Sequence, residues 1–198
     1  MIIISNPTEI INEVNILNSL FEEGLELFHI RKPGYCKEEL QLFISKINSN
    51  YHSKLVLHQH HELAEEFQMK RLHFTEKDRI DKTPSRLLKP DWCKSFSTSV
   101  HSIEDFNGLH DVFDYAFLSP VYPSISKENY VPTKNAFEEI KKRTNQHTKL
   151  VALSGISVEN IEKTIAYGFD SVALLGTIWN NTNPIENFKK CQKFVHLF

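Results

Sequence analysis

Residues 150–177 read LVALSGISVENIEKTIAYGFDSVALLGT. A short apolar run, Leu150-Val151-Ala152-Leu153, gives way to a segment in which Ile161 and Ile165 recur at helical spacing ahead of Gly168. A second short run, Ser171-Val172-Ala173-Leu174-Leu175, follows, and each run ends beside a glycine, Gly155 or Gly176. Two strands separated by a helix imply parallel pairing through a right-handed crossover. The same unit recurs toward the N-terminus. Strand-like runs stand at Ile2-Ile3-Ile4, Leu25 to Arg31, Lys54 to His58, Arg71 to Thr75, Ser95 to Val100 and Tyr115 to Ser119. Between them, Ile10, Ile11, Val14, Leu17 and Leu20-Phe21 before Gly24, then Leu40, Leu42-Phe43 and Ile47, then Phe137 and Ile140, keep the helical period. Ile185 to Phe198 reads as a closing helix, and Lys77 to Pro90 as a long polar loop without one. Eight strand–helix units predict an α/β fold, a (β/α)₈ barrel with a closed parallel sheet, built as one domain over residues 1–198.

The 198 residues are 40% hydrophobic and 24% charged, the composition of an ordinary globular domain. A formal charge of −2 excludes the basic face of a general nucleic-acid binder. No apolar run is long enough to span a bilayer, and the start MIIISNPTEI has no basic region leading into a long apolar one. Cys36, Cys93 and Cys191 are odd in number and widely spaced, which reads as reduced thiols in a cytoplasmic protein. Trp179 and fourteen phenylalanines leave room for a homodimer.

Polar side chains gather where strands end, the place at which such barrels carry chemistry. His29 and Arg31 share parity at the end of the second strand, so both face one side. His58 and His60 follow the third strand, His73 the fourth, and Ser99 with His101 the fifth. A histidine at a strand end is more often a hydrogen-bonded wall residue, and Arg31 has Glu26 or Glu62 as structural partners. Four successive strands ending in histidine weaken that reading. His58, His60 and His61 suit a metal by type, but carboxylate ligands from later strands are missing, and Ser99 with His101 lacks the third member of a nucleophilic set. Backbone N–H groups at Ser154-Gly155 and at Leu175-Gly176-Thr177 suit an anion, because glycine lets the chain approach closely. Turn-making alone explains those glycines equally well.

Taken in order, Phe28-His29-Ile30-Arg31, Leu72-His73, Ser99-Val100-His101-Ser102, Asp114-Tyr115, Ser119-Pro120-Val121-Tyr122-Pro123-Ser124-Ile125-Ser126-Lys127 and Ser154-Gly155-Ile156-Ser157 resemble the thiamine phosphate synthase/TenI family over nearly the whole chain. The resemblance implies a phosphorylated thiazole held by the loops around Gly155 and Gly176. It also implies substrate contacts from His29, Arg31, His58, His73, Ser99, Ser124, Ser126, Lys127, Ser154 and Leu175. In the synthase a pyrimidine diphosphate is bound through Mg²⁺, a Gln-x-Arg-x-Lys motif and an Asn-Asp pair. Here His29 replaces the glutamine, Pro33 takes the lysine position with Lys32 one place early, and His58-Gln59 replaces Asn-Asp. Asp78 falls where the second Mg²⁺ ligand would be.

These departures resemble the TenI side, where the strand-five histidine moves a proton. The leading expectation is therefore a thiazole tautomerase needing no cofactor, with His101 as general acid/base. The alternatives are a synthase with Mg²⁺ near Asp78, and a lapsed barrel that binds thiazole phosphate without turnover.

Overall fold

The structure is a computed structural model that describes residues 1–81, 88–125, 129 and 131–195. Its strands are β1 (Ile2–Ile4), β2 (Phe28–Ile30), β3 (Leu55–Leu57), β4 (Arg71–Phe74), β5 (Ser95–Val100), β6 (Tyr115–Leu118), β7 (Lys149–Ala152) and β8 (Ser171–Leu174). All pair in parallel in sequence order, and β8 returns to β1 to close the barrel. Between them run α1 (Glu13–Glu22), α2 (Lys37–Ser45), α3 (Leu63–Glu66), α4 (Glu76–Asp81), α5 (Ile103–Asn107), α6 (Ala136–Glu139) and α7 (Ile161–Ala166). After β8 come α8 (Gly176–Trp179) and α9 (Pro184–Gln192).

Strand parity sorts the residues into two packed regions. Ile3, Phe28, Ile30, Leu55, Leu57 and Leu72 face outward and pack against helix residues such as Leu17, Leu20, Leu40 and Ile44. Ile2, Ile4, Val56, Tyr115, Phe117, Val151 and Ala173 face inward and fill the axis. Both faces are dry, which is why the strands read as continuous apolar runs rather than alternating ones. Trp179, which as an exposed ring would suit a dimer contact, is spent inside. It is 9% exposed, packs edge-on against Phe28, and donates its indole N–H to Ile4 O at 2.7 Å.

A helix, α4, begins at Glu76 and runs into the stretch from Lys77 expected to be loop. Thr75 and Asp78 cap α4 reciprocally: the Asp78 carboxylate accepts from Thr75 N and Oγ1, and Thr75 Oγ1 accepts from Asp78 N. That arrangement satisfies N–H groups at the start of the helix that would otherwise be free. Residues 82–87 of the same stretch lie outside the described residues. The helix expected from Ile185 to Phe198 ends at Gln192, and residues 196–198 lie outside the described residues.

Lys32, next to Arg31, turns outward from the barrel. Its ammonium is fully buried and meets the Glu13 carboxylate and Thr8 O, with the Phe43 ring 5.2 Å away. Burial pushes the Glu13 carboxyl up from its ordinary value, while the hydrogen bond from Lys32 pulls it back. Lys32→Met should lower the unfolding free energy by about 3–5 kcal/mol, because it strands a buried charge. Adding Glu13→Leu should restore more than half of that loss in urea titrations followed by circular dichroism. An unchanged midpoint for Lys32→Met would show that the pair contributes nothing.

The loop after β7 is held by backbone contacts to the loop after β6: Val121 N donates to Leu153 O and Tyr122 N to Ser154 O. Gly155 sits at φ +65 there, and a Cβ on it would lie 2.3 Å from Pro123 O and 2.6 Å from Tyr122 Cβ. Gly34, by contrast, has nothing within 4 Å of a built Cβ. Gly155→Ala should therefore cost about 2 kcal/mol or more. Gly34→Ala should stay within about 0.5 kcal/mol in the same denaturation assay. Equal effects at the two positions would refute this account of the turn.

Candidate functional site

The strand ends converge on a cavity of about 350 Å³ at the C-terminal mouth. Arg31, His58, His73, Ser99, His101, Ser124, Ser154, Gly155, Leu175 and Gly176 all line it. His29 is the exception among the described residues expected to touch substrate. It is fully buried one layer below the mouth and does not line the cavity, because its register position on β2 lies two residues deeper than Arg31. Ser126 and Lys127 lie outside the described residues.

The floor is a hydrogen-bonded cluster. His29 Nδ1 is 2.8 Å from His58 Nε2, and His29 Nε2 is 2.7 Å from the Tyr115 hydroxyl. His73 bonds Ser97 Oγ through Nδ1 at 2.9 Å and Ser99 Oγ through Nε2 at 3.1 Å. The rings of His58 and His73 stack with centroids 4.0 Å apart, and Phe117 packs against both His29 and His73. Burial holds His29 and His58 well below the usual histidine range and takes His73 down to about 3, neighbouring positive groups adding to the effect. Burial also pushes the Tyr115 phenol up. The floor is polar but uncharged at neutral pH.

Charge is confined to the rim. Arg31 stands at the end of β2, its backbone N–H donating to Ser5 Oγ and its carbonyl accepting from the same hydroxyl. Neither structural partner expected from the sequence is used: Arg31 makes no ion pair among the described residues, and Glu62 meets Lys37 and His60 instead. Two strands further on, Glu76 and Lys77 line the cavity from the start of α4, and Glu76 is the sole carboxylate among the lining residues described. His101 donates from Nδ1 to Ser119 O at 2.7 Å, which leaves Nε2 toward Glu76, 3.6 Å away.

Three residues singled out for the diphosphate side take other roles. Asp78 caps α4 and does not line the cavity, so the carboxylate at the mouth is Glu76, two residues earlier. Lys32 is tied to Glu13 and does not replace the lysine that Pro33 displaces. Gln59 donates to Lys32 O and Tyr35 O, bracing the loop after β2. Sequence reasoning missed Glu76 because the stretch around it reads as a featureless polar loop. The Thr75-x-x-Asp78 capping signature was the signal that a helix starts there, with its first turn turned to the mouth.

The far wall is made by the loops after β7 and β8. Thr177 Oγ1 donates to Ile156 O, which ties the two loops together, and Asn160 Nδ2 donates to Gly155 O within the first of them. The backbone N–H groups of Gly155 and Ile156 make no hydrogen bond to another described group. Both residues line the cavity beside Gly176 and Thr177, the first residues of α8, and backbone donors of this kind suit an anion. The positive φ and tight packing at Gly155 are demanded first by the Tyr122-Pro123 backbone. That packing accounts for the glycine by itself, the turn-making reading that the sequence also offered.

Residues 1–178 match the family model TMP-TENI, described as thiamine monophosphate synthase. The thiamine-phosphate synthase of Prochlorococcus marinus subsp. pastoris is 26% identical over 186 residues, covering 91% of this chain and 51% of that protein, so the chain spans about half of that relative. The thiamine-phosphate synthase of Streptococcus suis is 23% identical, with 89% of this chain and 79% of that protein covered. The crystal structure of thiamine phosphate pyrophosphorylase from Bacteroides thetaiotaomicron superposes with a TM-score of 0.77 at 28% identity, covering 98% and 96% of the two chains. A 3-hexulose-6-phosphate synthase from Salmonella typhimurium shares the fold, at a TM-score of 0.72 and 12% identity. These thiamine relatives are named as synthases and as a pyrophosphorylase, which overturns the expectation of a tautomerase built on the strand-two and strand-five histidines. The chain belongs to the thiamine monophosphate synthase family.

Proposed function

We propose that this protein is a transferase that joins a pyrimidine diphosphate to a thiazole phosphate and releases diphosphate, forming thiamine phosphate. One observation carries the reading: a single cavity offers cations on one wall and backbone anion donors on the other, in a chain matched over most of its length by synthases. In the reaction the bond from the pyrimidine methylene carbon to the diphosphate oxygen breaks. The thiazole nitrogen supplies the electron pair for the new carbon–nitrogen bond, and the leaving group takes the other pair away as charge. What the protein must supply is neutralisation of that charge and alignment of two substrates.

Arg31 and Lys77 are the described cations placed for the diphosphate, Arg31 by the planar fork that suits phosphate oxygens. The donors at Gly155, Ile156, Gly176 and Thr177 hold the thiazole's phosphate. Ser99, Ser124, Ser154 and Leu175 shape the space between, and His58 and His73 form its floor. His101 stands at the rim with one nitrogen held by Ser119 and orients rather than transfers a proton. The hard-oxygen donor set fits Mg²⁺ at its minimum: one carboxylate, Glu76, completed by substrate phosphates and water. Glu76 would hold the ion, which when bound supplies further positive charge to the leaving diphosphate. A cytoplasmic setting keeps the three free thiols reduced, two of them buried.

Purified protein given both substrates and Mg²⁺ should produce thiamine phosphate, detected by oxidation to its fluorescent derivative after chromatography. Arg31→Ala and Glu76→Gln should each lower kcat/KM by about 10–100-fold, the worth of one charge-assisted contact. His101→Asn should stay within about fivefold of the unaltered protein, because no step needs proton cycling there. No thiamine phosphate under any Mg²⁺ concentration would end this reading.

A further inference from the structure

The synthase chemistry makes no use of the histidine cluster on the cavity floor as anything but a wall. Three imidazoles from neighbouring strands β2, β3 and β4 point into one volume, and one ligand atom from each lies within 4.8 Å of the others. Their ring centroids stand 5.0, 5.5 and 4.0 Å apart. We propose that His29, His58 and His73 form a nitrogen-only binding site for a divalent transition cation of the zinc class, with its open position toward the cavity.

Four features of the geometry favour this. First, the ligand type selects the cation: imidazole suits zinc, copper, iron or nickel, whereas Mg²⁺ and Ca²⁺ require oxygen donors that this cluster lacks. Second, the spacing is close to what is needed. Zinc–nitrogen bonds of about 2.0–2.1 Å in a tetrahedral site put ligand nitrogens roughly 3.3 Å apart. His29 Nδ1 and His58 Nε2 are 2.8 Å apart, so the pair must open by a few tenths of an ångström.

Third, two of the three remaining nitrogens are already anchored. Tyr115 holds His29 Nε2 and Ser97 holds His73 Nδ1. Outer hydroxyls of this kind fix the ring orientation and tautomer of a metal ligand. His29 carries its single proton on Nε2, donated to the Tyr115 oxygen, which leaves Nδ1 for the cation. His73 carries its own on Nδ1 toward Ser97, and the ion takes the place of the Ser99 hydroxyl on Nε2. Without the ion, His58 Nε2 holds the proton shared with His29 Nδ1, so on binding that proton moves to His58 Nδ1 and frees Nε2 as the third ligand. Fourth, His58 and His73 line the cavity while His29 lies beneath. The fourth coordination position therefore opens upward, the pattern of three protein ligands plus one open place. This site is separate from the Glu76 carboxylate at the rim and does not depend on the transferase reading.

The test uses the full chain stripped with a chelator and then titrated with Zn²⁺ against a chromophoric competitor, and separately with Co²⁺ by visible absorption. One equivalent of Zn²⁺ should bind, and Co²⁺ should give the intense ligand-field bands of a four-coordinate site, with millimolar Mg²⁺ failing to displace either. His58→Ala and His73→Ala should each weaken Zn²⁺ binding by about 100-fold or more. Tyr115→Phe, which keeps the ring in the core and guards against misfolding of the histidine variants, should weaken it by about 10-fold through its outer-shell role. The exposed His110→Ala should bind as the unaltered protein does. Zn²⁺ binding that is absent, or that survives at full affinity in both His58→Ala and Tyr115→Phe, would overturn the proposal, as would a weak six-coordinate Co²⁺ spectrum.

Discussion

Strand alternation inside a closed sheet is the constraint on which this molecule depends. Once β8 pairs with β1, no edge remains and every second residue must enter the axis. The pairing register then decides depth. Ile4 lies beside His29 and His29 beside Val56, so His29 belongs to the middle layer and Arg31 to the rim. His73 pairs with Ser97 and Ser99 with Phe117, which puts the serine partners of His73 on the adjacent strand at the right height. A slip of one residue would send the histidines to the helices and Phe28, Ile30 and Leu57 into the cavity.

A polar interior survives in such a barrel only if its groups satisfy one another. The two chains Tyr115–His29–His58 and Ser97–His73–Ser99 do this with neutral partners. The one fully buried ion pair among the described residues, Lys32 with Glu13, lies outside the barrel between its strands and helices, where Lys32 also reaches Thr8 O. Separation of these two kinds of polar group follows from parity again. Arg31 and Lys32 are adjacent in sequence and point to opposite sides of the sheet, so one cation reaches the mouth and the other is structural.

Most of the fold was legible because it depends on periodicity, which survives in a single sequence. Eight apolar runs spaced by helical patterns specify a closed barrel almost regardless of detail. Much of the mouth was legible too, since residues at strand ends inherit their direction from the strand. What failed was anything set by loops. Glu76 and Asp78 differ by two places in sequence, yet the reciprocal cap with Thr75 turns Asp78 away and leaves Glu76 at the cavity. Gln59 looked like a substitute for a metal ligand, but its amide reaches two backbone carbonyls across the loop after β2. The activity itself was misread for a related reason: histidines at strands two and five resemble those of the tautomerase branch, while the whole-chain match lies with synthases.

The depth of the histidine cluster explains how one cavity can carry two electrostatic regimes. Near the rim, water and the charges of Arg31, Lys77 and Glu76 favour phosphate oxygens and a hard cation. A few ångströms lower, Phe117 and the apolar axis exclude water, and a carboxylate there would cost far more than an imidazole. Histidine is the side chain that stays uncharged at that depth while keeping a lone pair pointed upward. His29 and His58 at the ends of adjacent strands, with His73 stacked beside His58, therefore form one floor of neutral nitrogens beneath the charged rim.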